Sequence, residues 1–497
     1  MFRSRPSDAL GRAYKTSNPF RPWNSESAIW TTTSFDALSR VISVTTPDSA
    51  AVTTSYTGNT VTAADQAGKQ RKSVTDALGR LTNVYEDPNG LNYQTSYTYD
   101  VLNDLTQVSQ GSQTRTFVYD SLKRLTSATN PENGSAGYTY DNNGNLLTRT
   151  DARGVVTTIA YDVLNRPTAK TYSDGTPNIA YFYDSQSLPA GAPTFNRGYS
   201  TGRLVAVTYG GGSAGNYAGF DALGRTLRKY QQTDSVNYLI EAAYSVSFMT
   251  SETYPSVPGA GDRRTVTYTP DAAGRLASLN SNATTYAPAA SVSSIGYASH
   301  NALNTETYGN SLIHAISYNN RLQANEIKLG TSGAPTSALD LTYNYGTTNN
   351  NGNVQSLTYA GGGLSYTQNF GYDSLNRLTT ANENSGASWS QTNGYDQYGN
   401  RWIDYGGGVH NLAFSTSNNR ITTAGFSYDA NGNLTNDTIH AYTFDAENQI
   451  KTVAAANAYT YDGEGQRVRK FVGENTRFVY GLGGQLIAEF DGSTGNL

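Results

Sequence analysis

The sequence predicts an all-β protein, built of tandem β-hairpin repeats joined into a continuous antiparallel sheet. Three observations lead there. Tyr occurs 38 times and Gly 49 times, which couples a residue of half-buried pleated surfaces to a residue of tight turns. One short phrase (an aromatic residue, Asp, two variable residues, Gly or Asn, Arg, Leu) recurs along the chain. No stretch reads as a convincing helix.

The phrase justifies itself position by position. Aligned on the aspartate, it appears as "YTYDVLNDLTQV" (Asp100), "FVYDSLKRLTSA" (Asp120), "YTYDNNGNLLTR" (Asp141) and "IAYDVLNRPTAK" (Asp162), with Asp184 next, at intervals of 20 to 22 residues. Further copies centre on Asp36, Asp76, Asp221, Asp271, Asp373, Asp396, Asp429, Asp445 and Asp462. Large residues precede the aspartate two apart, as in Tyr97/Tyr99, Phe117/Tyr119 and Tyr138/Tyr140. That spacing puts both on one face of a strand. Asp then opens a four-residue turn, whose fourth residue must tolerate a left-handed backbone. Gly79, Gly144, Gly224, Gly274, Gly399, Gly432 and Gly465 supply it, or Asn103, Asn165, Asn376 and Asn448. Arg80, Arg124, Arg166, Arg225, Arg275 and Arg377 follow and are placed to reach back to the aspartate. Leu81, Leu125, Leu276 or Leu378 starts the return strand. A lone hairpin is marginal in water, so the repeats must join into one sheet.

The organisation is a single repeat region over 1–497. Clear repeats run over 7–290, degenerate ones over 291–370 and clear ones again over 371–497. The degenerate copies are "HNALNTET" near Asn301, "SYNNRLQANEI" near Tyr318 and "NNNGNVQSL" near Gly352, read as the same hairpins with drifted turns. "YGGGSAGN" (Tyr209 to Asn216) and "YAGGGLSY" (Tyr359 to Tyr366) read as long hairpin loops, and "YPSVPGAGD" (Tyr254 to Asp262) as an inserted loop.

Composition narrows the function classes. Hydrophobic residues make up 37% and charged residues 15%, with a net charge of −4. Plentiful aromatics and low net charge argue against disorder, yet the aliphatic share is thin for a solid core of this length. A thin wall of many strands fits both facts. Without cysteine there is no disulfide, thiolate metal site or Cys nucleophile, and the redox compartment stays open. "MFRSRPSDALGRAY" has no apolar signal core, and no apolar run reaches membrane-spanning length. Nothing in the charge pattern predicts capture of nucleic acid.

Y-D-x-x-G-R-L at a period near 20 resembles the YD repeats of RHS proteins, shared with toxin-complex B and C subunits and teneurins. The resemblance runs from "SDALGR" at Ser7 to "FVYGLGGQLIAEFDG" at Phe478. It implies a sheet that spirals into a hollow shell, or part of one, located outside the cell or on its surface. It further implies enclosure or display of a C-terminal toxin polypeptide, with that cargo or another shell subunit as partner. The family's toxin-bearing members continue into a core-associated region, expected to begin about where "DGSTGNL" stands (Asp491 to Leu497). The alternative function is adhesion or glycan binding through the outer sheet face, with Trp23, Trp30, Trp389 and Trp402 as first contacts.

Site chemistry is sparse. Asp141, Asn143 and Asn145 match the start of a calcium loop, as do Asp429, Asn431 and Asn433. Position six is Leu146 or Leu434 rather than Gly, and position twelve Ala152 or His440 rather than Glu, so both read as structural turns. His300, His314, His410 and His440 lack metal-ligand spacing. "GGSAG" around Ser213 matches a nucleophile elbow in letters alone, with no helix after it. The N-x-S/T sequons at Asn133, Asn282, Asn433 and Asn436 are expected by chance in so Asn- and Thr-rich a chain. The sequence therefore predicts no catalytic, cofactor-binding or metal-binding residue, no cofactor, and no enzyme.

Overall fold

The stretch Tyr138 to Arg149 folds as one hairpin and sets the pattern for the rest. Strand Gly134–Tyr140 pairs antiparallel with Leu146–Thr150, Tyr138 opposite Arg149 and Thr139 opposite Thr148. The register slips by one residue between Thr139 and Tyr140, the bulge expected where a left-handed residue closes a three- to four-residue loop. Gly144 takes that conformation at φ +88°. The same slip precedes the turns of Asp36, Asp100, Asp120 and Asp162.

A computed structural model of the chain describes residues 2–210, 214–256, 263–282, 291–384, 388–404, 409–410, 412–454 and 457–495. Among them each strand pairs antiparallel with its sequence neighbour, as hairpin connections require. Strands from Lys15–Ser17 to Val409–His410 belong to one sheet, and those from Tyr442–Phe444 to Leu486–Asp491 to a six-stranded one. Helical structure among the described residues is the single turn Pro22–Asn24.

Because strands alternate direction, the turns fall alternately on two edges of the sheet. Turns opened by the repeat aspartates lie on one, here called the aspartate edge. The intervening connections, such as 46–50, 65–69, 87–92 and 110–113, lie on the other, the loop edge.

The chain divides into two compact units: Met1–Thr114 with Ser291–Asn419, and Arg115–Ala290 with Arg420–Leu497. The first has little solid core. Its buried apolar side chains among the described residues are Ala50, Val84, Val292 and Ala381; strands such as Tyr93–Tyr99 are half-buried on one face and exposed on the other, and others, such as Leu303–Tyr308, are half-buried on both. The second unit departs from a thin wall. Tyr238, Ile240, Val479 and Phe490 form a buried cluster, with the Tyr238 and Phe490 rings 4.8 Å apart. Tyr209, Ala214 and Val468 form another. There the last hairpins pack face to face on strands Leu204–Tyr209 to Val236–Tyr244.

The two glycine-rich runs are not long loops. Strand Ser356–Gly361 pairs with Leu364–Tyr372 up to Gly361 opposite Leu364. Gly362 and Gly363, at φ +57° and +86°, are the whole connection. Two successive left-handed residues make the hairpin turn that matches strand twist, so the glycines extend the pairing instead of interrupting it. Tyr209 pairs with Ala214, and residues 211–213 between them lie outside the described residues. Residues 257–262 of the expected inserted loop lie outside the described residues, as does Ser213. The degenerate copies near Asn301 and Tyr318 are hairpins of the same kind, whereas "NNNGNVQSL" lies mostly in the longer connection 345–355 between strands Ala334–Asn344 and Ser356–Gly361. Asn319 takes the aspartate's place, accepting the Arg321 and Gln323 amides, and Leu322 takes the left-handed position at φ +64°.

Candidate functional site: the repeat ladder and its seam

Each turn aspartate organises its own loop. Asp76 Oδ1 accepts the amides of Leu78 (2.9 Å) and Arg80 (3.0 Å), and Oδ2 accepts Arg80 Nε (2.7 Å). The Arg80 guanidinium, then its amide, hold the Asp76 carboxyl below its ordinary range. The same three bonds form at Asp36, Asp120, Asp162, Asp221 and Asp373.

The arginine also reaches the next repeat. Arg80 Nη1 donates to the Asp100 carbonyl (3.2 Å), and its guanidinium lies over the Tyr99 ring, 5.0 Å from the centroid. The Tyr99 hydroxyl donates back to the Leu81 carbonyl (3.0 Å). In the second unit Arg124 donates to the Asp141 carbonyl (3.0 Å) and covers Tyr140, whose hydroxyl donates to the Leu125 carbonyl (2.8 Å). Tyr, Asp, Arg and Leu are thus one device: Asp aims Arg, Arg grips the next turn and stacks on its Tyr, and Tyr bonds back to Leu. Sequence reasoning placed the tyrosine pairs as packing alone and missed the hydroxyl. The signal was the preference for Tyr over Phe beside Asp, since only Tyr carries a donor.

The calcium-like turns follow the same logic. Asp141 Oδ1 accepts the Asn143 and Asn145 amides, and Oδ2 accepts Asn145 Nδ2 (2.8 Å). Asn145 replaces the arginine and passes its second N–H to Asn165 Oδ1 (2.8 Å). The carboxylate's acceptors serve the turn. Asp429 and Asn433 repeat the arrangement.

A seam joins distant parts of the chain within each unit. In the first, the aspartate edge of 291–419 lies along the loop edge of 1–114. Asn350 Nδ2 donates to Asp48 Oδ2 (3.0 Å), Asn351 and Asn376 both donate to Asp65 Oδ2, and Ser374 Oγ donates to Asp87 Oδ2 (2.7 Å). Further along, the Ser112 amide donates to the Tyr398 hydroxyl (2.9 Å), and Gln113 Nε2 donates to Asn419 Oδ1 (2.7 Å). These partners are 286 to 311 residues apart in sequence.

The second unit has its own seam. Arg420 donates to the Glu132 carbonyl (3.0 Å), and Arg149 and Arg153 donate to the Ala446 and Asp445 carbonyls (both 3.0 Å). Glu447 accepts Lys170 (3.0 Å) and the Tyr172 hydroxyl (2.9 Å). Asn216 bridges Asp462 (2.9 Å) and Glu464 (3.0 Å). Burial raises the Asp445 carboxyl, against the pull of the Gln449 and Glu447 amides.

The side chains singled out from sequence do not converge. Trp23 packs on Phe2, Trp389 donates to Glu383 Oε2 (3.1 Å), Trp402 lies against Gly394, and Trp30 opens the strand Trp30–Phe35. His300 stands edge-on to Tyr318, His314 meets Glu306 Oε2 (3.1 Å), and His440 lies beside Tyr442. The His410 side chain lies outside the described residues. Among the described residues no group of three or more His, Asp or Glu is arranged to hold a metal.

A chain stitched together by one recurring Tyr–Asp–Arg–Leu device is a tandem hairpin-repeat protein. The RHS Repeat family matches residues 119–156 and 140–177, the turns of Asp120, Asp141 and Asp162. The same turn recurs along the described chain, and the matched stretch carries RHS repeats. Its sequence is similar to tRNA nuclease WapA of Bacillus subtilis (strain 168), 32% identical over 123 residues, covering 22% of this chain and 5% of that protein. Its fold is similar to the crystal structure of TcdB2-TccC3 without its hypervariable C-terminal region, at TM-score 0.80 and 15% identity over 98% of this chain and 29% of that one. It is also similar to the Photorhabdus luminescens Tc holotoxin pore, at TM-score 0.76 and 15% identity over 93% of this chain and 27% of that one. The chain spans less than a third of those solved chains.

Proposed function

We propose that the chain is a structural wall, part of an RHS-type shell that encloses or displays a polypeptide such as a toxin, and that its action is steric rather than chemical. The seam carries this reading. A strip whose aspartate edge returns to its own loop edge hundreds of residues later is suited to bounding a space, and a strip that stayed flat would have no use for those bonds. The sparse core of the first unit supports it, since a wall wetted on both faces buries little. The likeness to toxin-complex structures over almost the whole chain supports a toxin as cargo and a location outside the producing cell.

Two measurements test it. A solid globule of 497 residues has a radius of gyration of about 23 Å. Small-angle scattering is expected to give a larger value, with a distance distribution shifted outward as for a hollow body. Trypsin treatment of the protein purified from its native source is expected to leave an enclosed polypeptide intact until denaturant opens the wall. A radius at the solid-globule value, or digestion of every co-purifying polypeptide at its free rate, overturns the proposal.

A further inference from the structure

Two successive turns of the second unit depart from the repeat in their charge. Asp445 and Asp462 open "DAENQ" and "DGEGQ", with glutamine in the place that arginine takes in the complete device. At Asp120 and Asp141 the residue in that place serves the aspartate's Oδ2, through Arg124 Nε (2.7 Å) or Asn145 Nδ2 (2.8 Å). Gln449 and Gln466 turn away instead, and their Nε2 groups donate to the Gly465 and Gly484 carbonyls (both 3.0 Å). At Asp462 the Asn216 Nδ2 group makes up the loss (2.9 Å). At Asp445, Oδ1 accepts the Glu447 and Gln449 amides (both 2.9 Å), and no described side chain donates to Oδ2.

Asp445 lines a cavity of about 520 Å³ that lies wholly within this unit, bounded by the two turns and by strands Pro167–Tyr172, Ile450–Val453 and Asn457–Tyr461. Its lining holds four carboxylates against two lysines, together with four tyrosines. One of those lysines, Lys170, is already engaged by Glu447 (3.0 Å). Burial makes the Asp445 carboxylate costly to ionise, and an opposite charge beside it removes that cost. Tyr461 lines the same cavity, and it is the ring that position 449 serves. In the complete device the arginine of one turn covers the tyrosine before the next aspartate, as Arg124 covers Tyr140 at 5.0 Å and Arg166 covers Tyr183 at 4.3 Å. The tyrosine before Asp462 is Tyr461. Carboxylate and ring are both in place, and residue 449 brings no guanidinium to them.

We propose that this cavity is a socket for an arginine side chain carried by a polypeptide segment other than residues 1–497, its guanidinium paired with Asp445 and laid on Tyr461. Arginine fits better than lysine, because its planar fork pairs with a carboxylate and stacks on a ring at once. A cavity of about 520 Å³ also admits peptide backbone beside the side chain. The socket stands whether or not the wall encloses a cargo.

Isothermal titration calorimetry of this chain near neutral pH tests it. The probes are the capped tripeptide Ala-Arg-Ala, the same tripeptide with citrulline in place of arginine, and free arginine. The arginine peptide is expected to bind at least about tenfold more tightly than the citrulline peptide, since only it forms a charge-assisted pair, and to weaken as salt rises. Asp445→Asn is expected to erase that preference and keep its turn, because Asn319 accepts the same two amides at a sister turn. Gln449→Arg supplies the guanidinium from within, and is expected to lose peptide binding and to unfold at higher urea than the parent. Equal affinity for the two peptides overturns the proposal, as does a Gln449→Arg protein that binds as the parent does. Free arginine binding as tightly as the arginine peptide overturns the assignment to a polypeptide. If Gln449→Arg misfolds, Asp445→Asn alone must still erase the preference for arginine.

Discussion

Gly144 and Gly432 occupy the same position in sister turns of the second unit, "DNNGN" and "DANGN", and differ only in what lies above them. Both are left-handed, at φ +88° and +82°. A methyl group at 144 meets nothing within 4 Å; at 432 it meets the Glu132 carbonyl oxygen at 2.2 Å. That carbonyl sits across the seam and accepts Arg420, 288 residues from it in sequence. Alanine in a left-handed conformation costs about 1–2 kcal/mol at either site. The clash at 432 is with backbone, so the seam must open by roughly 1 Å, at a further cost of about 1–3 kcal/mol by analogy with overpacked cores. G432A is therefore expected to destabilise the seam about 5- to 150-fold more than G144A does its own turn. Hydrogen exchange followed by mass spectrometry reads this directly: peptides over 131–134 and 420–433 should lose protection in G432A and keep it in G144A. Equal losses in the two variants, within about 0.5 kcal/mol, would refute the seam as a load across which the coils are held.

Y183F tests the ladder. The Tyr183 hydroxyl donates to the Pro167 carbonyl (3.0 Å) while Arg166 covers its ring at 4.3 Å, so removing the hydroxyl alone should cost about 1 kcal/mol in urea unfolding; an unchanged midpoint would reduce the tyrosine to packing. F490A deletes a ring that is 1% exposed from the second unit's core and should cost about 3–5 kcal/mol, against less than about 1 kcal/mol for F471A at a half-exposed site. Similar losses at both sites would deny that the last hairpins are anchored by that core. The Tyr442 hydroxyl (2.6 Å), then the His440 and Ile439 amides, hold Asp437 down to about 2 from an ordinary 3.8. Because the folded value is the lower one, the turn's contribution is complete above about pH 4 and disappears as pH falls through 2. An NMR titration of Asp437 should show that midpoint and Y442F should raise it; a parent midpoint near 3.8 would contradict the geometry.

The hairpin was legible because its causes are local. Asp opening a turn and Gly or Asn closing it act over four residues, and many copies repeat the message. The exceptions follow the same rule with other letters: Ser39, Lys123 and Leu322 take the left-handed position at φ +65°, +61° and +64° where glycine was expected. Asp65 and Asp151 open equivalent turns on the loop edge, "DQAG" and "DARG", which an alignment keyed to the preceding aromatic passes over. The glycine run at 361–363 misled because glycine weakens a strand in general, yet two consecutive left-handed residues are what a two-residue hairpin needs. The seam is of another kind. Its partners are set by twist and strand spacing accumulated over many hairpins, so no window of sequence contains both sides. A partial mark does exist at the third turn position: away from the two seams most turns read D-A-L, D-S-L or D-V-L, with D-N-N at Asp141 and D-A-A at Asp271, whereas seam turns read D-Q-Y at Asp396, D-A-N at Asp429, D-A-E at Asp445 and D-G-E at Asp462. The turn at Asp373 breaks that rule, since it reads D-S-L and is docked. A leucine at the third position is thus compatible with either state, while the Tyr and Glu at that position in the turns of Asp396, Asp445 and Asp462 each bond across a seam.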